Sequence, residues 1–149
     1  MQRVEEVLDK NHFSLVGLER RNFAVLLVET AEEKHLDPLL VLAVMKVESS
    51  FRVNAVSEKG AMGLLQIKPV AAETVSDQLA FPFQSKWDLL DPRKNLVIGI
   101  HYLAYLKNLF RSDTHKMLVA YNIGPTAARN SDTLPTGYAN KVLRTYEGF

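Results

Sequence analysis

The sequence predicts a mainly helical fold in a single domain, 1–149, and three observations predict it. Apolar residues recur at three- and four-residue spacing through the longer segments. Two Asp-Pro pairs, Asp37-Pro38 and Asp91-Pro92, mark helix starts. Asp can cap the first free backbone donors, and Pro at the first helical position gives up no hydrogen bond. The 149 residues are 47% apolar, enough for one core without staples, and no repeat, low-complexity tract or linker divides them.

Taken in order, the first twelve residues read as a loose N-terminal arm. Leu15, Leu18, Phe23, Leu26, Leu27 and Ala31 then fall on one side of a helix with a charged outer face. Asp37-Pro38 starts a helix through Glu48 that is apolar almost all round, which predicts a buried central element. Periodicity stops from Ser49 to Lys68, where Gly60-Ala61-Met62-Gly63 predicts an ordered loop with at most a short β-hairpin. Pro69 starts a further helix, and residues 81–90 are irregular around Phe81-Pro82-Phe83 and Trp87. After Asp91-Pro92 a helix points Leu96, Ile100, Leu103, Leu106 and Phe110 inward. Asp113 caps the next, which ends at Asn122-Ile123-Gly124-Pro125, with Gly and Pro as terminators. A last helix runs from about Tyr138 to Tyr146, for six or more in all.

Several function classes drop out. The net charge is +1 and the densest basic cluster, Glu19-Arg20-Arg21, is a solvated helix face, so no nucleic-acid partner is expected. Without cysteine there is no disulfide framework, thiol nucleophile or Cys-based zinc site. The four histidines, His12, His35, His101 and His115, lack metal-ligand spacing, and no Gly-x-Ser-x-Gly elbow or phosphate loop is present. Neither a metal nor an organic cofactor is expected. No apolar run approaches the ~18 residues of a spanning helix. Acidic residues stand where a secretory signal would place its apolar stretch, in Met1-Gln2-Arg3-Val4-Glu5-Glu6.

Glu48 is the one strong acid on the apolar central helix, at its C-terminal end. The helix dipole and burial both disfavour a carboxylate there, so its pKa should rise. A carboxylic acid kept protonated near neutral pH can protonate a glycosidic oxygen. Helix pattern alone leaves a second reading open, an exposed acid at a frayed end or one paired with a structural cation.

The surrounding motifs decide between the two. The segment Glu48-Ser49-Ser50-Phe51, the run Gly60-Ala61-Met62-Gly63-Leu64-Leu65-Gln66 and the later Ala120-Tyr121-Asn122-Ile123-Gly124 stand in that order. Asp91-Pro92 with Asn95, Gly99 and Tyr102-Leu103, and the tail Leu134-Pro135-Thr136-Gly137-Tyr138-Ala139-Asn140-Lys141-Val142, complete the pattern. Over about residues 35–146 this closely resembles the soluble lytic transglycosylases, which have a lysozyme-like α+β fold with a substrate groove across one face.

That resemblance implies a peptidoglycan glycan strand as partner and a role for each matching residue. Glu48 matches the family's catalytic acid/base. It would protonate the bond between N-acetylmuramic acid and N-acetylglucosamine, then take the proton of the attacking C6 hydroxyl, leaving a 1,6-anhydromuramoyl end. Ser57 matches a sugar-binding serine; its alternative is a turn residue capping its own loop. Gln66 matches a glutamine that binds substrate or supports the acid, against a purely structural amide. Tyr121 matches a tyrosine whose hydroxyl reaches the glutamate, against a core aromatic. Asn122 either binds glycan or merely ends its helix. Where the family often has Met, this chain has Lys68, a cation for a peptide or lactyl carboxylate or one that points outward. Glu58, the nearest second carboxylate in sequence, reads as a surface charge; facing Glu48 across the cleft, it or Asp91 would favour hydrolysis instead. Trp87, Tyr102 and Tyr105 either line a sugar groove or belong to the core. The substrate implies a periplasmic or cell-envelope location. The rivals are a hydrolytic muramidase of the same fold and a non-catalytic wall-binding domain.

Overall fold

The structure is a computed structural model that describes every residue, Met1–Phe149. It contains eight α-helices: α1 Gln2–Lys10, α2 Gly17–Glu33, α3 Pro38–Ser49, α4 Pro69–Val75, α5 Pro92–Leu109, α6 Thr114–Ile123, α7 Pro125–Asn130 and α8 Gly137–Glu147. Short 3₁₀ turns occupy Ser76–Gln78 and Lys86–Leu90. The only β-structure is two isolated antiparallel bridges, Val56 with Met62 and Met62 with Ile67. The mainly helical fold matches the expectation from sequence.

Capping chemistry sets the helix starts. Asp37 Oδ1 accepts from Leu39 N at 2.8 Å, and Asp91 Oδ1 accepts from Arg93 N and Lys94 N, both at 2.9 Å. Asp113 Oδ1 accepts from Lys116 N at 3.0 Å. Between its cap and Glu48, α3 has six consecutive buried residues, Leu40 to Met45. Each buried aliphatic side chain there contributes roughly 1.5–3 kcal/mol relative to exposure. α3 packs against α8, α2 and α1, while α5 packs against α4, α2 and α6.

Two elements differ from the sequence reading. The first twelve residues are not a loose arm: Val4, Val7 and Leu8 put one buried face of α1 on the core. Phe13 follows it down, its ring centroid 4.7 Å from that of Phe23 and 6.4 Å from that of Phe51. The i, i+3, i+4 spacing of those three residues is the driving pattern, over a helix of only nine residues. Second, Gly124-Pro125 ends α6 but also begins α7, because a Pro that cannot continue one helix suits the first position of the next.

Candidate active site

Glu48 occupies the last turn of α3. The chain leaves that helix through two consecutive left-handed residues, Ser50 (φ 52°) and Phe51 (φ 62°). Such conformations are uncommon outside glycine, and here surrounding bonds hold them. The buried Ser49 hydroxyl donates to Leu64 O at 2.7 Å, and Arg52 Nε donates to Ser49 O at 2.9 Å. The helix end is thereby tied to the loop that follows.

That loop, residues 52–68, is fastened by its own amides. Met62 and Ile67 exchange two backbone bonds of 3.0 Å, and Gly63 N donates to Ala55 O at 2.7 Å. Gln66, itself at φ 48°, donates both amide hydrogens, to Ala55 O at 3.1 Å and Gly63 O at 3.0 Å. From below, the fully buried Asn95 of α5 accepts from Leu65 N at 2.9 Å and donates to Met62 O and Leu89 O, both at 2.8 Å. Gly63 explains why this approach is possible. At φ 75°, a Cβ added there would stand 2.3 Å from Asn95 Nδ2 and from Leu89 O.

Loop, α3 and α6 enclose a cavity of about 870 Å³. All six candidates named from sequence line it: Glu48, Ser57, Gln66, Lys68, Tyr121 and Asn122. Their local contacts differ from expectation in places. The Ser57 hydroxyl accepts from Ala61 N at 3.0 Å, so it caps its loop while lining the cavity. Gln66 spends its N–H donors on the loop. Asn122 and Lys68 are exposed on the cavity wall.

Tyr121 needs a correction. Its hydroxyl donates to Leu65 O at 2.5 Å, a backbone carbonyl of the loop, and makes no hydrogen bond to Glu48. The hydroxyl that reaches the acid is that of Tyr138 on α8, which donates to Glu48 Oε1 at 2.6 Å. Geometry decides this. α8 lies along α3, whereas Tyr121 on α6 is turned toward the loop and packs against Tyr102, with ring centroids 5.9 Å apart. Sequence reasoning assigned Tyr138 no role, although the residue stood in the tail motif.

Glu48 is half-buried. Loss of solvent pushes its carboxyl above the ordinary range near 4.5, while the Tyr138 hydrogen bond and the positive charge of Lys141 pull it down by less. Burial and the nearby Glu48 charge hold the Tyr138 hydroxyl well above 10, so it stays a donor across the physiological range. A protonatable acid with a fixed partner, facing an open cavity, can deliver a proton and receive one back.

The remaining aromatic and acidic candidates separate. Tyr102 is buried and lines the cavity, Tyr105 stacks on it with centroids 5.9 Å apart, and Trp87 is 63% exposed outside this cavity. Glu58 lines the same cavity as Glu48, on the exposed loop, whereas Asp91 is consumed as the cap of α5. No three His, Asp or Glu side chains gather into a metal-ligand group, and no helix is long and apolar enough to cross a membrane.

Comparisons with known proteins bear on the family and the fold. The family model described as the transglycosylase SLT domain matches residues 26–142. The chain is 31% identical to the membrane-bound lytic murein transglycosylase C of Edwardsiella ictaluri, an alignment covering 96% of this chain and 40% of that protein. It is 35% identical to the protein of the same name in Klebsiella pneumoniae, over 78% of this chain and 33% of the relative. Among solved structures, the 70 kDa soluble lytic transglycosylase of Escherichia coli superposes with a TM-score of 0.72 at 27% identity, over 81% of this chain and 23% of that one. An inactive glutamate-to-glutamine mutant of the lytic transglycosylase Slt from Pseudomonas aeruginosa gives 0.66 at 26% identity, over 83% and 21%. The chain thus spans two fifths or less of the length of these relatives.

Proposed function

The chain belongs to the transglycosylase SLT domain family, and from that premise we propose that it is a peptidoglycan lytic transglycosylase domain in which Glu48 is the one acid and base. The observation that carries this reading is the half-buried Glu48 carboxyl, raised in pKa and held by Tyr138, on the wall of an 870 Å³ cavity. Protonated Glu48 gives its proton to the oxygen between N-acetylmuramic acid and N-acetylglucosamine. The bond from that oxygen to the muramoyl anomeric carbon breaks. The C6 hydroxyl of the same sugar then attacks that carbon and returns a proton to the Glu48 carboxylate. The products are a 1,6-anhydromuramoyl end and a free N-acetylglucosamine end, and no water is consumed. Attack from within one sugar avoids the entropy cost of capturing a second reactant.

The wall residues support the same reading. Ser57, Gln66, Lys68, Tyr121 and Asn122 line the cavity, and the Ser57 hydroxyl, the Gln66 side-chain carbonyl, the Asn122 amide and the Lys68 ammonium are left to meet a glycan. The two relatives compared by sequence are named as membrane-bound murein enzymes, which supports an envelope location, periplasmic in a two-membrane cell.

Glu58 supports a second reading, because it lines the same cavity and a second carboxylate is what a hydrolytic muramidase needs. Mass spectrometry of digested peptidoglycan separates the two. Anhydromuramoyl products are expected from wild type and from Glu58→Gln. Reducing muramic ends that vanish in Glu58→Gln would establish hydrolysis instead. Glu48→Gln should lower turnover about 10²–10⁴-fold, as loss of a general acid does. Digestion of sacculi at the wild-type rate by that variant would remove Glu48 from the mechanism and favour a non-catalytic wall-binding domain.

A further inference from the structure

The turn that follows Glu48 is held from two parts of the chain. Ser50 and Phe51 both take left-handed backbone there, and for a bulky aromatic residue that is a strained choice. Such backbone persists only where its surroundings hold it. One hold is the Ser49 hydroxyl, bonded to Leu64 O of the loop. The other comes from the N-terminal segment. The buried Phe51 ring meets the buried Phe13 ring edge-on, with 62° between the planes, and Phe13 rests in turn on Phe23 of α2.

Phe13 is delivered to that place by the end of α1. His12 is left-handed at φ 52°, its N donates to Asp9 O, and Phe13 N donates to Leu8 O, both at 3.2 Å. This pair of bonds closes a helix and folds the next apolar residue back against its last turns. Arg20 of α2 pairs with Asp9 of α1 at 2.6 Å and joins the same two helices. Phe13 lies upstream of residues 26–142, the stretch that the family model matches, and no residue of this segment lines the cavity that holds Glu48.

We propose that Phe13 is a positioning residue for the acid. Its ring backs that of Phe51, Phe51 holds the strained turn, and the turn fixes the end of α3 from which Glu48 projects. The assignment rests on the reading of Glu48 as acid and base. Placement matters because the Glu48 carboxyl has one side-chain hydrogen bond, from Tyr138 on α8, and such a bond works over a narrow range of distances and angles. A shifted α3 end opens it. The other titratable groups around the acid are Lys141 on α8, Tyr121 on α6, and Glu58, Lys59 and Lys68 on the loop. A change at residue 13 replaces none of them, so the pH profile reads placement.

The test compares variants of the whole chain on soluble glycan strands, below their melting temperatures. Phe13→Ala should lower kcat about 10–100-fold with KM unchanged, as a small misplacement of a catalytic group does. Its alkaline limb should move upward, because the bond it opens is one that favours the charged form of Glu48. Phe13→Leu, which restores apolar bulk against Phe51, should recover most of kcat. Val4→Ala removes a side chain of α1 that is just as buried, and should lower stability while leaving kcat and the limb in place. Wild-type kcat in folded Phe13→Ala would overturn the proposal. So would an equal loss in Val4→Ala, which would make Phe13 ordinary core. Should Phe13→Ala fail to fold, Phe13→Val decides, with the same movement of the limb expected and an unmoved limb overturning the proposal. Either failure, beside an inactive Glu48→Gln, leaves the catalytic reading standing. Wild-type turnover by Glu48→Gln would remove that reading, and this assignment with it.

Discussion

The two walls of the cavity that holds Glu48 are held in opposite ways. The loop of residues 52–68 is fastened by many short-range amide bonds and by Asn95, which alone meets three backbone groups. Glu48, on the other wall, is positioned through one side-chain hydrogen bond, from a hydroxyl ninety residues away in sequence. The first arrangement makes a rigid surface whose shape barely depends on charge. The second leaves a carboxyl free to change its protonation state, with one hydrogen bond and the charge of Lys141 favouring the charged form. A binding wall benefits from redundancy. A group that must gain and lose a proton each cycle benefits from having few bonds to break.

The largest effect should come from attacking the redundant wall at its centre. Asn95→Ala leaves Leu65 N–H, Met62 O and Leu89 O buried without that partner. We expect a loss of roughly 2–4 kcal/mol in denaturant unfolding, on the scale of several unmade buried hydrogen bonds. An unchanged midpoint would mean that the loop is held by its own amides alone.

A smaller effect, of a different kind, is expected across the cavity. Tyr138→Phe should cost no more than about 1.5 kcal/mol of stability, the value of one ordinary hydrogen bond. Its signature is the pH profile. The Tyr138 bond favours the charged form of Glu48, so its loss pushes the Glu48 pKa further up. Glu48 then remains a protonated acid to higher pH, and the alkaline limb of kcat should move upward while KM stays put. A limb that moves downward, or does not move, would deny Tyr138 its hold on the acid.

The smallest effect concerns stability of Glu48→Gln. A carboxyl raised in the folded state binds its proton more tightly there than in the unfolded chain. Its ionisation therefore costs stability, and that cost builds up as pH rises from the ordinary carboxylate pKa through the raised one. The amide carries no such cost and can still accept from Tyr138. The variant should melt at or slightly above the wild-type temperature at pH 7, with the gain vanishing below about pH 4. A lower melting temperature at pH 7 would show that the carboxylate is a structural ion after all.

Much of this was legible in the residue order, for physical reasons. Asp37, Asp91 and Asp113 act on backbone donors two or three residues away, so their caps are local facts that a sequence displays. Glu48 stands out because a charged residue interrupts an apolar helix. Tyr138 and Asn95 were not assigned roles, since their partners lie ninety and about thirty residues off, and nothing local marks a hydroxyl or an amide for a distant mate. Tyr121 shows the converse, since it does line the cavity while its hydroxyl has another partner than expected. A motif placed it at the cavity, but its hydroxyl went to Leu65 O once the packing of α6 was settled. The short α1 escaped although Val4, Val7 and Leu8 stand at i, i+3, i+4, because that pattern lasts for barely more than one turn.

The hydrogen bond between residues 48 and 138 also bears on the order in which a ribosome supplies the parts. The helix that carries Tyr138 is made after α1 to α7, and it covers the flank of α3 with Ala139 and Val142, both fully buried. A nascent chain that has emerged only as far as α7 already contains Glu48 and the whole loop, yet its acid lacks the hydroxyl that orients it. On the proposed function, the oriented acid is therefore complete only once α8 has docked on α3.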